Sequence, residues 1–207
     1  MPAYNEENRI GKTLKTYSEF FDKALENGLE DYIILVVINN TTDRTEEVVS
    51  AWSKHNPRIK YLDLPKGGKG YAVIEGFKEA LKTNSELIGF VDADGATPPE
   101  SFYALITEMK GADGTLASRY ISGSSLVPPL TFRRSVVGKS FNLVVRSLFF
   151  MNYRDTQCGA KLFKRKVLEK IVNRIGMTHW AFDVELLYEA NISGFYIKDV
   201  PTRWFDI

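Results

Sequence analysis

The chain has 207 residues, 27 basic against 26 acidic side chains, a formal net charge of +1 and 44% hydrophobic residues. That balance describes one folded unit of ordinary size; it excludes a disordered chain and offers no bulk electrostatic case for wrapping nucleic acid. A single cysteine, Cys158, excludes an internal disulfide framework, nothing resembles a Cys/His zinc site, and the apolar run Tyr32 to Ile38 falls far below the ~20 residues of a membrane-spanning helix.

Residues 1–120 alternate between helical and strand patterns. Ile10, Leu14, Tyr17, Phe21 and Leu25 recur at helical spacing and predict one buried stripe. Tyr32 to Ile38 is continuous and β-branched, as in a parallel strand covered on both faces. Asn39-Asn40-Thr41-Thr42-Asp43 is a turn cluster, and Asp43 with Glu46 predicts a capping pair for a helix ending near Lys54. A strand at 59–64 leads to the flexible loop Pro65-Lys66-Gly67-Gly68-Lys69-Gly70, then a helix carrying Val73, Phe77 and Leu81. Leu87 to Val91 is a third strand, ending at Asp92-Ala93-Asp94-Gly95. A helix begins at Pro98-Pro99 with Phe102, Leu105, Ile106 and Met109 inside, and Gly114 to Ser118 is a short strand. Repeated strand–helix–strand units predict an α/β fold, a mostly parallel sheet flanked by helices.

Beyond Arg119 the pattern changes. Residues 121–134 read as loop. Residues 135–150 predict an amphipathic helix with Val137, Phe141, Val144, Val145 and Leu148 on one side and Lys139, Asn142 and Arg146 on the other. Helices at 166–175 and 180–190 and a strand at 195–200 complete the chain. No linker divides it, so 1–207 is expected to be a single domain.

Asp92-Ala93-Asp94 ends a buried strand, where open α/β sheets bind ligands. Two carboxylates separated by one residue suit a hard cation that bridges phosphate oxygens, although Asp-Gly also makes ordinary turns. Glycines around Lys69 let backbone N–H groups approach an anion at a helix start. The spacing is not that of a P-loop. Arg119, Arg133, Arg134 and Lys161 are candidate phosphate ligands in the irregular part. His55 and His179 lie far in sequence from any such pattern and read as structural. Cys158 has no evident base and reads as a packed thiol.

These segments occur together in one order: Pro2-Ala3-Tyr4-Asn5-Glu6, Asn39 to Asp43, Gly68-Lys69-Gly70, Asp92 to Gly95, Ser118-Arg119-Tyr120, Asp155-Thr156-Gln157-Cys158-Gly159, Phe182 to Leu186 and Val200 to Trp204. The set resembles family 2 glycosyltransferases of the GT-A (Rossmann-like) fold, most of all the dolichyl-phosphate glucosyltransferase and mannosyltransferase branch. The resemblance implies inverting, metal-dependent transfer of a hexose from UDP-glucose or GDP-mannose to a polyprenyl phosphate. A saccharide or protein acceptor and a non-catalytic nucleotide-sugar-binding domain are the alternatives.

The resemblance also implies roles. Residues 1–120 would form the nucleotide-sugar half and 121–207 the acceptor half. Pro2, Ala3, Tyr4, Glu6, Asn40, Lys69, Asp92, Ala93 and Asp94 would hold the donor, with Mg²⁺ or Mn²⁺ on Asp92 and Asp94. Arg119, Arg133, Arg134 and Lys161 would grip phosphate, and Asp94, Asp183 and Arg119 would be catalytic, with Asp183 or Asp155 as any base. The 135–150 helix would touch the cytoplasmic face of a membrane, making the protein cytoplasmic and peripheral; packing of the same helix on the sheet is the equal alternative. Three departures are evident. The apolar strand usual before Pro-Ala-Tyr-Asn-Glu is missing, so an upstream segment is expected to have been lost. Asn39-Asn40 stands for the usual paired Asp, and Ala96 for a glutamine frequent in the mannosyltransferases.

Overall fold

The computed structural model describes residues 1–129, 131–176 and 181–206. Elements alternate through the first part as β1 (Pro2–Ala3), α1 (Ile10–Glu26), β2 (Ile34–Asn39), α2 (Thr45–His55), β3 (Ile59–Leu64), α3 (Lys69–Ala80), β4 (Leu87–Val91), α4 (Pro99–Thr107) and β5 (Gly114–Ser118). Then follow β6 (Ser125–Val127), α5 (Phe132–Phe149), β7 (Ala160–Lys164), α6 (Arg165–Ile171), α7 (Phe182–Ile192), β8 (Ile197–Pro201) and β9 (Arg203–Phe205). The hydrophobic periodicities up to Ser118 thus become the expected elements.

Strands β1, β2 and β3 pair in parallel, with Ala3 opposite Ile38 and Ile38 opposite Asp63. The first strand consists of only the two residues Pro2–Ala3, inside the Pro-Ala-Tyr-Asn-Glu motif. A second sheet runs in the order β4-β7-β5-β8. Strand pairs are mostly parallel, as expected, and β7 is the exception, running antiparallel to both neighbours. β7 was invisible as a strand because Lys161 and Lys164 interrupt its apolar pattern. β6 and β9 form a small parallel pair that ties the 121–134 stretch to the last strand.

Alternating strand residues feed two cores. Val36, Ile38, Val91 and Leu162 pack with Ile10, Leu14, Phe21 and Leu105 on one face. Ile88, Phe90 and Phe163 pack with Val73, Phe77, Leu168, Phe182 and Leu187 on the other. Burial on both faces leaves the carboxyl end of β4 as the place where polar side chains can meet.

α5 turns most of its apolar side outward, away from the sheet. Val137, Phe141, Val144 and Leu148 face outward, Val137 68% and Leu148 67% exposed. Asn142 and Val145 face inward. Asn142 makes this arrangement stable by accepting from both the Thr156 backbone N–H (2.8 Å) and the Thr156 hydroxyl (2.9 Å). No helix among the described residues is long and apolar enough to cross a membrane.

Candidate active site

The candidate site is built where β1, β2, β4 and the start of α3 converge. Asn39, at the end of β2, is the residue that joins them: its amide donates to Ala3 O (2.9 Å) and its carbonyl accepts from Gly68 N (3.0 Å). Gly68 has φ +131°, a backbone state that only glycine adopts readily. Sequence reasoning fixed on Asn40, but Asn40 is exposed at the rim, in a left-handed conformation, whereas Asn39 is buried. Two polar residues in one turn give no sequence signal that separates these roles.

The Tyr4–Glu7 turn is tied to the 41–45 turn. Thr41 accepts from Asn5 N (2.8 Å), Asn5 accepts from Thr42 N (2.9 Å), and Asp43 accepts from both Glu7 N and Thr45 N at 3.0 Å. Asp43 thus braces two turns, in place of the Glu46 capping pair that was expected. Glu6 is clamped by both guanidinium arms of Arg9, and burial raises its pKa. Tyr4 stands exposed beside them.

Asp92 and Asp94 follow β4 directly. α1 fixes this loop, with Thr13 donating to Ala93 O (2.9 Å) and Tyr17 to Thr97 O (2.8 Å). Asp94 turns back to accept from Ala96 N through one oxygen (2.9 Å). Asp92 is paired with Lys69, Oδ1 to Nζ 2.8 Å. Burial pushes the Asp92 carboxyl up; Lys69 opposes this, and the charges of Asp183 and Asp94 add to it. Burial works against the charge on Lys69, but Asp92 and Asp183 outweigh it and hold the lysine above its ordinary value.

Gly159 gives Asp92 its room. The Gly159 carbonyl accepts from Asp92 N at 3.0 Å, and a Cβ on Gly159 would lie 1.8 Å from Asp92 Oδ2. The neighbouring Cys158 is fully buried and its thiol is pushed up to about 12 by burial, so it is an inert packed group as expected.

Lys161 is fully buried, donating to Cys158 O (2.8 Å) and to Asp183. Its expected role as a phosphate ligand is corrected: an ammonium sealed in the protein and already paired cannot meet a substrate. Asp183, in the first turn of α7, sits between Lys161 and Lys69, its second oxygen 3.9 Å from Lys69 Nζ. Carboxylates and ammonium groups therefore alternate as Asp92–Lys69–Asp183–Lys161, with the Phe90 ring 5.7 Å from Lys69 and 5.2 Å from Lys161. The oxygens of Asp183 thus face two ammonium groups.

Arg119 follows β5 directly and clamps Asp155, which is fully buried, through Nε (2.7 Å) and Nη2 (3.0 Å). Burial disfavours its charge, but the hydrogen bonds and charge of Asp155 raise its pKa nonetheless. Its guanidinium lies over Trp204 (5.2 Å) and Tyr120 (5.5 Å). Asp155, the other base considered, is closed off by this clamp. Arg134 pairs with Asp206, and Arg133 is exposed, both in the first turn of α5. His179 lies outside the described residues.

The donor set suits a divalent cation. Asp92 and Asp94 supply hard oxygens two residues apart, and Gly159 leaves open the space that a side chain would take from Asp92. Among the described residues no cluster of three such side chains occurs, so two carboxylates would leave coordination positions for oxygens of a bound phosphate.

Comparison with known proteins agrees with this architecture. The chain is 33% identical to a dolichyl-phosphate beta-glucosyltransferase of Trichomonas vaginalis and 32% identical to that of Drosophila melanogaster, over its whole length. It spans 63% and 66% of those proteins. Glucosyl-3-phosphoglycerate synthase from Mycobacterium tuberculosis, solved with uridine diphosphate, superposes with a TM-score of 0.69 at 17% identity, covering all of this chain and 70% of that one. A Pyrobaculum calidifontis mannosyltransferase solved with GDP-Man and Mn²⁺ gives 0.63 at 18% identity, over 99% of this chain and 55% of that one. The fold is that of the GT-A glycosyltransferases. The Glycosyl transferase family 2 profile matches residues 1–172, from the Pro2–Ala3 strand through the Asp92 loop to the end of α6, and the chain belongs to that family.

Proposed function

We propose that this chain transfers glucose from UDP-glucose to a dolichyl-type polyprenyl phosphate, inverting the anomeric centre. The observation that carries the reading is the Asp92–Ala93–Asp94 loop at the carboxyl end of β4, with Lys69 against Asp92. The relatives named as dolichyl-phosphate glucosyltransferases support the sugar and the acceptor.

In this reading Asp92 and Asp94 hold Mg²⁺ or Mn²⁺, which would neutralise charge growing on the departing nucleoside diphosphate. Structures of fold relatives with Mn²⁺ support a divalent ion. Tyr4, Asn40 and the braced turns around them line the nucleoside, and Lys69 reaches the donor phosphates. The acceptor phosphate is already anionic, so its oxygen attacks the anomeric carbon in line as the bond to the diphosphate breaks, and no general base is required. Arg119, held rigid by Asp155, orients that phosphate with Arg133 and Arg134 at the entry. Residues 1–120 thus serve the donor and 121–207 the acceptor. The outward apolar face of α5 seats the protein on the cytoplasmic side of the membrane that carries the lipid.

The test is a donor screen with a short, water-soluble polyprenyl phosphate. Glucose transfer from UDP-glucose, lost in EDTA and restored by Mn²⁺, is the expected result. Transfer only from GDP-mannose, or turnover that survives EDTA, would refute the donor or the metal assignment respectively.

A further inference from the structure

A cavity of about 290 Å³ lies beside α5, lined by Tyr120, Lys139, Asn142, Leu143, Arg146 and Arg154 and by neither Asp92 nor Asp94. Three of the six are cations and none is an acid. Among the described residues the ion pairs within 4 Å include none of these three cations. Arg146 Nε is buried there without a hydrogen-bond partner, an expensive state for a charged donor. The nearby acids are Asp199, which accepts from the Arg154 backbone N–H (3.1 Å) and feels the Arg154 charge, and Asp155, whose charge acts on Tyr120 but which Arg119 already pairs. The Asn142 side chain is committed to Thr156, and the Tyr120 hydroxyl would lie 2.4 Å from a Cβ on Gly138, so wall and floor are fixed in place.

We propose that this cavity binds the phosphate of an anionic phospholipid headgroup. Three cations around one cavity, one with a buried donor unfilled, suit a phosphodiester. At ~30 Å³ per water the volume admits the group with part of its hydration. The lipid source follows from position: Leu143, 62% exposed, forms the cavity's edge, and Val136, 44% exposed, lies two turns before it on the same side of α5. An acyl chain leaving the cavity would meet apolar surface there, which a free phosphate would not need. The site rests on the reading of α5 as the membrane-facing helix and adds to it a preference for lipid charge. It adjoins the Arg119 clamp assigned to the acceptor phosphate, whose guanidinium lies 5.5 Å from the Tyr120 ring, but its three cations are not part of that clamp.

The test compares the parent with the Lys139→Gln/Arg154→Gln double variant. Both residues are exposed, so the fold should tolerate the change. Cosedimentation with phosphatidylcholine vesicles, alone or with phosphatidylglycerol, is expected to show tight binding only to the anionic vesicles. The double variant is expected to bind these about 25-fold less well, roughly fivefold per charge. Arg133→Gln, outside the cavity, should cost less than a single cavity charge, and turnover of water-soluble polyprenyl phosphate by the double variant should match the parent. Equal binding of parent and double variant to anionic vesicles overturns the proposal, as does parent binding that ignores phosphatidylglycerol. Inorganic phosphate that binds the parent but not the double variant, with no vesicle preference, replaces the lipid with a free anion and also overturns it. Failure of glucosyl transfer with the vesicle difference intact would instead sink the proposed function.

Discussion

Helices α1 and α5 are nearly equal in length, 17 and 18 residues, and both carry apolar side chains at helical spacing, yet they face opposite ways. α1 buries its stripe of Ile10, Leu14, Tyr17 and Phe21 against the sheet. α5 turns Val137, Phe141, Val144 and Leu148 outward and is held through Asn142. Both nevertheless reach the same site. α1 fixes the loop of Asp92 and Asp94 through Thr13 and Tyr17, and α5 fixes Thr156, three residues before the glycine that makes room for Asp92. Periodicity alone identifies a helix and its apolar side; it does not say whether the protein or something outside it covers that side.

Substitutions can break or sharpen this contrast. Leu14→Ala, in the fully buried stripe of α1, should cost about 3 kcal/mol of unfolding free energy, measured by urea denaturation. A loss below 1 kcal/mol would remove α1 as the packed member of the pair. Gly159→Ala probes the point both helices serve. Its methyl group would push Asp92 aside and should lower kcat/KM about 100-fold, equivalent to ~2.7 kcal/mol, in a protein that keeps its secondary structure by circular dichroism. Unchanged turnover would show that the position of Asp92 does not matter. Asn142→Ala leaves the Thr156 N–H without its acceptor and should cost about 2 kcal/mol, large for a polar residue on a helix. Smallest of all, Leu148→Ser should change stability in water by no more than ~0.5 kcal/mol. A drop like that of Leu14→Ala would mean that the outward face is packed after all.

The elements from α1 to β5 were legible because the strands are rich in apolar residues and each helix buries one stripe, so local pattern and tertiary environment agree. The Asp92–Asp94 loop was legible for the same reason: a buried strand ending in two acids has few other uses. β7 and Lys161 were not. A lysine in a chain segment reads as surface, and only the placement of Asp183 and the Cys158 carbonyl around its ammonium makes burial tolerable. Asp155 and Asp183 looked alike as spare carboxylates until Arg119 closed one and two lysines flanked the other.

The alternation of elements from α1 to β5, the α/β class, the acidic loop and the inertness expected of Cys158 were thus determined by the amino-acid sequence itself, since each depends on residues close together in the chain. Which side of α5 meets solvent, which asparagine bridges β1 to the glycine loop, and how four alternating charges settle around Asp92 were decided only by the tertiary structure. Those outcomes rest on partners brought together from distant parts of the chain, and a buried polar group's role is set by the group that satisfies it.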